Sequence, residues 1–128
     1  MRGPRLAVDV IIMHEGGFVL IRRRKDPFRG KWALPGGFVE YGETVEEAAR
    51  REAMEETGLR IRLKELLGVY SDPHRDPRGH VASVCFVCES VGGELAPSSD
   101  AAEARVFRRI PRGMAFDHGK ILKDAGFR

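Results

Sequence analysis

The sequence predicts a mixed α/β (α+β) domain in which a mixed β-sheet carries helices packed on it. Three observations lead there. Apolar alternation with β-branched residues recurs in five short stretches, a well-capped helical pattern sits between the second and third, and another helical pattern ends the chain. With 128 residues and 42% hydrophobic content, residues 1–128 have the usual size of a single domain and can close a real core.

In chain order, strands are expected near Arg5 to His14 and Phe18 to Arg23, with Glu15-Gly16-Gly17 turning them into a hairpin. A loop with Asp26-Pro27 and Arg29-Gly30 leads into Lys31-Trp32-Ala33-Leu34. Pro35-Gly36-Gly37 then breaks the chain. Thr44 and Glu47 form a capping box and Gly58 is a left-handed stop, so a helix is expected from about Val45 to Thr57. Further strands are expected near Arg60 to Tyr70, His80 to Glu89 and Ala104 to Ile110. Phe116 to Ala125 reads as a final helix closed by Gly126.

Composition removes several function classes. No window approaches the roughly 18 uninterrupted apolar residues that a membrane span needs. Leu6 to Met13 is short and carries Asp9, so it reads as a strand and not as a signal peptide, and a cytoplasmic protein with no membrane partner is expected. The net charge of +3 comes from scattered positive residues without interleaved aromatics, which argues against a nucleic-acid partner. The one basic run, Arg22-Arg23-Arg24-Lys25, continues a strand, so its alternate members face opposite sides; it reads as a solvated strand end, with a phosphate contact from one member as the alternative. Cys85 and Cys88 spell a CxxC, yet three residues apart on a strand they point to opposite faces and serve as core thiols. Asparagine and glutamine are absent and arginine far outnumbers lysine, a composition that suits a hot-living source.

The segment from Gly37 to Leu59 concentrates seven glutamates against two arginines. At about 100° per residue from Val45, Ala48, Ala49 and Ala53 share an arc with Val45, while Glu52, Glu55 and Glu56 fall at about 340°, 280° and 20°, in or beside it. Three carboxylates therefore project toward the protein. Glu52 and Glu56 are a like-charge i,i+4 pair, and all three lie in the last turns, where the helix dipole prefers cations. Something positive should sit there. Arg51, on the far side, can reach back to Glu47. Carboxylates without nitrogen or sulfur ligands select a hard cation, Mg²⁺ or Mn²⁺, which substrate phosphates usually complete.

The same segment resembles the Nudix box, GX5EX7REUXEEXGU with U apolar. It matches at Gly37, Glu43, Arg51, Glu52, Ala53, Glu55, Glu56, Gly58 and Leu59, and the preceding GKWALPGG is similar to the lead-in of that family. The resemblance implies an α/β/α sandwich and metal-dependent hydrolysis of a nucleoside diphosphate linked to another group. It implies Glu52 and Glu56 as principal metal ligands, Glu55 on a second or bridging metal, the Gly37 carbonyl in the shell, and Glu43 with Arg51 orienting the glutamates. The catalytic base varies in this family, and Glu103, in the stretch SSDAAEA, is the candidate here. Homodimers are common among such proteins, so a homodimer is expected.

Two further segments, SDPHRDPRGH from Ser71 and AFDHGKIL from Ala115, are similar to sequences in small prokaryotic ADP-ribose hydrolases of that family. Arg75 and Arg78 flank the turn Asp76-Pro77-Arg78-Gly79, and guanidiniums there suit a diphosphate or ribose-bearing nucleotide. Together with His80 they are the substrate-binding candidates. His118 reads as structural with ligand contact as the alternative, His14 and His74 carry no assignment, Asp72 reads as a turn cap, and Trp32 as packing beside the site with base stacking as the alternative. The expected activity is ADP-ribose hydrolysis. The alternatives are a nucleoside triphosphate pyrophosphohydrolase clearing oxidised nucleotides, or a non-catalytic ADP-ribose sensor, although the expected domain leaves no residues for a winged helix.

Overall fold

The computed structural model describes residues 3–97 and 101–128. Its elements are β1 (Arg5–His14), β2 (Gly17–Arg23), β3 (Trp32–Ala33), β4 (Gly36–Phe38), α1 (Val45–Thr57), β5 (Leu59–Tyr70), β6 (Val81–Gly93), β7 (Ala101–Phe107) and α2 (His118–Asp124). The sheet runs β3-β2-β1-β6-β5, with β4 added to β1 and β7 to β2. The β1–β6 pairing is parallel and the other pairings are antiparallel. The sheet is therefore mixed, as expected.

One edge of β1 is shared between two partners, and this positions the site. Its far end pairs with β2 at Met13 and His14, whereas Ala7, Val8 and Asp9 pair with Phe38, Gly37 and Gly36 of β4. The short strand β4 is thereby held in the sheet just before α1 begins. Gly36 can lie there because it lacks a side chain: a Cβ would come 2.2 Å from the Val8 carbonyl oxygen.

Alternation along β1 sorts its side chains between two cores. Val8, Val10 and Ile12 pack with Ala48, Ala49 and Ala53 of α1. Ile11 packs with Ile121 and Leu122 of α2 on the other face. The result is three layers, helix on sheet on helix. Cys88 joins the first core and Cys85 the second, both as free thiols, which is the division that strand alternation requires.

Several boundaries differ from the sequence reading, among them the end of β6, which runs past Glu89 to Gly93. β3 and β4 appear where only a break was expected, because pairing with β2 and β1 defines them. β7 starts at Ala101, three residues early, since its pairing with β2 extends through a register shift at Arg22/Arg23. α2 starts at His118, because Phe116 takes a left-handed φ of 52° that no helix tolerates.

Candidate active site

α1 presents the acidic cluster. Thr44 and Glu47 form both halves of the capping box, and Gly58 closes the helix at φ 77°. With Ala48, Ala49 and Ala53 fully buried, the helix is fixed in rotation, and Glu52 and Glu56 must turn toward β4. A Cβ on Gly37 would lie 2.6 Å from Glu52 Oε1, so the missing side chain makes room for that carboxylate. The Gly36 amide donates to Glu56 Oε1 at 2.7 Å.

Arg51 supplies part of the positive charge that the cluster requires. Its guanidinium donates to Glu43 at 2.7 and 3.0 Å, to Glu52 at 2.7 Å, to Glu55 at 3.3 Å and to the Phe38 carbonyl at 3.1 Å. The expected reach back to Glu47 does not occur, because Glu47 is engaged by the Thr44 amide in the capping box. The two hydrogen bonds from Arg51 hold Glu43 down at a pKa of about 2. Burial pushes the Glu52 carboxyl upward against the pull of Arg51.

Glu56 lies beyond these contacts. Burial raises its pKa to about 8, opposed by the Gly36 hydrogen bond and reinforced by the Glu52 and Asp9 charges. It faces a cavity of about 180 Å³ shared with Arg23, Asp9, Phe38, Arg78 and Phe116. Arg23 is the cation nearest in effect to Glu56. Its own pKa is lowered by burial and by the neighbouring Arg78 charge, while Glu56, Asp76 and Asp9 act in the opposite sense.

A buried polar network supports the cavity from the α2 side. The Leu34 amide donates to His118 Nδ1 at 2.9 Å, which places the ring proton on Nε2, 3.4 Å from Asp9 Oδ1. The Ser83 hydroxyl donates to Asp9 Oδ2 at 2.5 Å. Arg75 forms a two-pronged pair with Asp117 at 2.9 and 2.7 Å and approaches Asp9 at 3.8 Å.

The candidates from sequence divide accordingly. Gly37, Glu52, Glu55, Glu56, Glu43 and Arg51 come together on α1 and β4. Arg75 lines the cavity, but with its side chain 5% exposed it ties the 71–80 loop to α2. Arg78 lines the cavity as well, bound to the buried Asp76 at 3.1 and 2.8 Å. His80 lies outside it and donates to the Ser71 carbonyl at 2.9 Å.

Glu103 is not brought to the cavity. It sits within β7 opposite Arg22, with Arg22 at 3.2 Å and Arg105 at 2.8 Å, and Ser98 to Asp100 of the expected loop fall outside the described residues. Sequence reasoning missed Asp9, Phe38 and Phe116, and allowed a phosphate contact from one residue of the Arg22–Lys25 run without singling out Arg23. Arg23 carried a signal, since strand alternation sets it on the face opposite Arg22. The others depend on contacts distant in sequence.

Residues 3–124 match the family model described as the NUDIX domain. The chain belongs to the Nudix family. It is 56% identical over 123 residues to the ADP-ribose pyrophosphatase of Methanocaldococcus jannaschii, covering 94% of this chain and 72% of that protein. It is 44% identical over 95 residues to a putative 8-oxo-dGTP diphosphatase of Bacillus subtilis, covering 73% of this chain and 59% of that one. The NUDIX domain of Shewanella oneidensis NrtR, solved with ADP ribose, superposes with a TM-score of 0.81 at 26% identity, covering 98% of this chain and 88% of that domain.

This Nudix hydrolase therefore has the sandwich that its sequence resemblance implied, and divalent-metal dependence is general in such enzymes. Among the described residues, no three acidic, histidine or cysteine side chains close into a ready cage. The available donors nonetheless fit a hard cation: they are all oxygens, Gly37 leaves space at Glu52, and the half-buried Glu56 carboxylate accepts a hydrogen bond from the Gly36 amide. Among the described residues, no helix is long and apolar enough to cross a membrane.

Proposed function

We propose that this chain hydrolyses ADP-ribose to AMP and ribose 5-phosphate with Mg²⁺ or Mn²⁺, in the cytoplasm. The observation that carries this reading is the cavity in which half-buried Glu56, beside Glu52, faces Arg23. Anionic and cationic groups meet there at a concave surface, as a metal-bound diphosphate requires. The extent of identity to the M. jannaschii enzyme supports ADP-ribose as the substrate.

In the reaction, a water oxygen bonds to one phosphorus, the bridging P–O bond breaks, and the leaving phosphate departs with the bridging oxygen. Glu52 and Glu56, with Glu55 and the Gly37 carbonyl, would hold the metal. When bound there, a divalent ion would supply neutralisation of non-bridging oxygens and a lowered pKa for water. Arg51 and Glu43 fix the carboxylate that faces Gly37, and Arg23 binds the diphosphate from across the cavity. Glu103, paired away from the cavity, has no part in this scheme.

The similarity to the B. subtilis protein favours triphosphate hydrolysis as the second reading. A panel of ADP-ribose, other nucleotide sugars, dinucleoside polyphosphates and nucleoside triphosphates separates the two. ADP-ribose should give the highest kcat/KM. A strong preference for triphosphates overturns the proposal, and so does ADP-ribose binding without turnover, the behaviour of a sensor.

A further inference from the structure

Leu34 and Pro35 join β3 to β4, and the chain from Leu34 to Gly36 is bonded residue by residue to three different elements. The β2–β3 pairing ends at Ala33, so the buried Leu34 amide finds its acceptor outside the sheet, in His118 Nδ1 of α2 at 2.9 Å. Pro35 has no amide hydrogen, and its carbonyl accepts from the Val10 amide of β1 at 2.9 Å. The Gly36 amide then donates to Glu56 Oε1 of α1 at 2.7 Å. A side chain of α2 is thereby anchored two residues from the amide that aims Glu56.

This stretch passes a displacement on instead of absorbing it. Pro35 is fully buried and its ring fixes one backbone torsion. Gly36 lies so close to the Val8 carbonyl and the Asp9 carboxylate that no Cβ fits there. With neither residue free to adjust, a change in where Leu34 is held moves the Gly36 amide.

His118 is itself held from several sides. The residue is 4% exposed, its Nε2–H faces Asp9 Oδ1 at 3.4 Å, and the Phe116 ring centre lies 5.1 Å from its own. Asp9 is fixed in turn by the Ser83 hydroxyl, and the Arg75–Asp117 pair secures the residue before His118. The contact with Asp9 sets which ring nitrogen carries the proton and leaves Nδ1 bare for Leu34. We propose that His118 is a positioning residue for the metal site: by holding the Leu34 amide through Nδ1, it sets the path of Pro35 and Gly36 and hence the direction of the Glu56 carboxylate. The consequence for a metal rests on the functional reading above, whereas the positioning is read in the metal-free chain.

Nitrogen-15 resonance of the metal-free wild-type chain should show the His118 ring protonated at Nε2 and bare at Nδ1, with the Gly36 amide proton displaced downfield by its bond to Glu56. A ring proton on Nδ1 would overturn the proposal before any variant is made. His118→Asn places an amide oxygen where Nδ1 lies and gives up the Asp9 contact, whereas His118→Gln reaches Asp9 and gives up the Leu34 acceptor. The Gly36 signal should keep its place in His118→Asn and move upfield in His118→Gln. The Mn²⁺ dissociation constant should rise about tenfold in His118→Gln alone. A residue that only filled space would affect both variants alike, so equal changes, no change in His118→Gln or a larger change in His118→Asn would overturn the proposal. Unaltered Mn²⁺ affinity in His118→Gln despite a moved Gly36 signal would overturn its link to the metal site. If neither variant folds, the wild-type ring signals decide. A Gly36 signal that moves as expected in a chain whose wild type takes up no Mn²⁺ would support the positioning and count only against the functional reading.

Discussion

The Gly36 amide donates to Glu56 Oε1 at 2.7 Å, which ties a glycine of the central sheet to a half-buried acid of α1. Glu56 thus enters the cavity with a fixed direction but, among the described residues, without a cationic partner in hydrogen-bond contact. Replacing it with Gln keeps an acceptor for Gly36 and removes the negative charge. Glu56→Gln, like Glu52→Gln, should lower kcat by about 10²-fold or more with the fold retained. Steady-state assays with circular dichroism check this, and near-normal turnover in both variants would show that the metal lies elsewhere.

The raised pKa of Glu56 makes stability depend on pH. In the unfolded chain this acid ionises near 4.5, whereas the folded chain keeps its proton until about pH 8. Between those values the folded state binds more protons, so stability is greatest at the acid end and falls as pH rises through the window. The slope is at most about 1.4 kcal/mol per pH unit. Urea melts in chelator should show this decline, and added Mg²⁺ should flatten it by stabilising the ionised carboxylate. Stability that rises from pH 5 to 8 in chelator would contradict the assignment.

The two glycines of β4 should respond differently to alanine. At Gly36 the new Cβ meets the Val8 backbone at 2.2 Å, which a paired strand cannot relieve, so Gly36→Ala should lower the melting temperature strongly. At Gly37 it meets the end of the Glu52 side chain at 2.6 Å, which can move. Gly37→Ala should therefore keep its fold and lose metal affinity. Thermal melts and Mn²⁺ titrations of both variants separate the effects.

Arg75→Ala should act on folding more than on substrate. The change leaves Asp117 without its two-pronged partner and removes the Arg75 charge beside Asp9, and breaking a buried pair costs about 3 kcal/mol or more. The expected result is a large drop in urea midpoint. A normal midpoint with raised KM would return Arg75 to the direct ligand role expected from sequence.

The residues legible in advance were those governed by local rules. Thr44, Glu47 and Gly58 fix the ends of α1 through hydrogen bonds within a few residues, and alternation alone placed Cys85 and Cys88 on opposite faces. Spacing also turned Glu52 and Glu56 inward. Contacts across the chain were not legible. Asp9 meets His118 only because β1 and α2 pack together, and β4 is a strand only through its pairing with β1. Arg51 illustrates the limit in one side chain: helical spacing offered Glu47, but the fold brings Glu43 and the Phe38 carbonyl within its reach.

The most direct measurement is Mn²⁺ uptake, followed by the loss of free-ion paramagnetic resonance signal as protein is added, with and without AMP. The wild-type chain should take up Mn²⁺, and a Glu52→Gln/Glu56→Gln double variant should not. Equal uptake by both proteins, or none by the wild type even with AMP present, would contradict the assignment of these carboxylates to a metal.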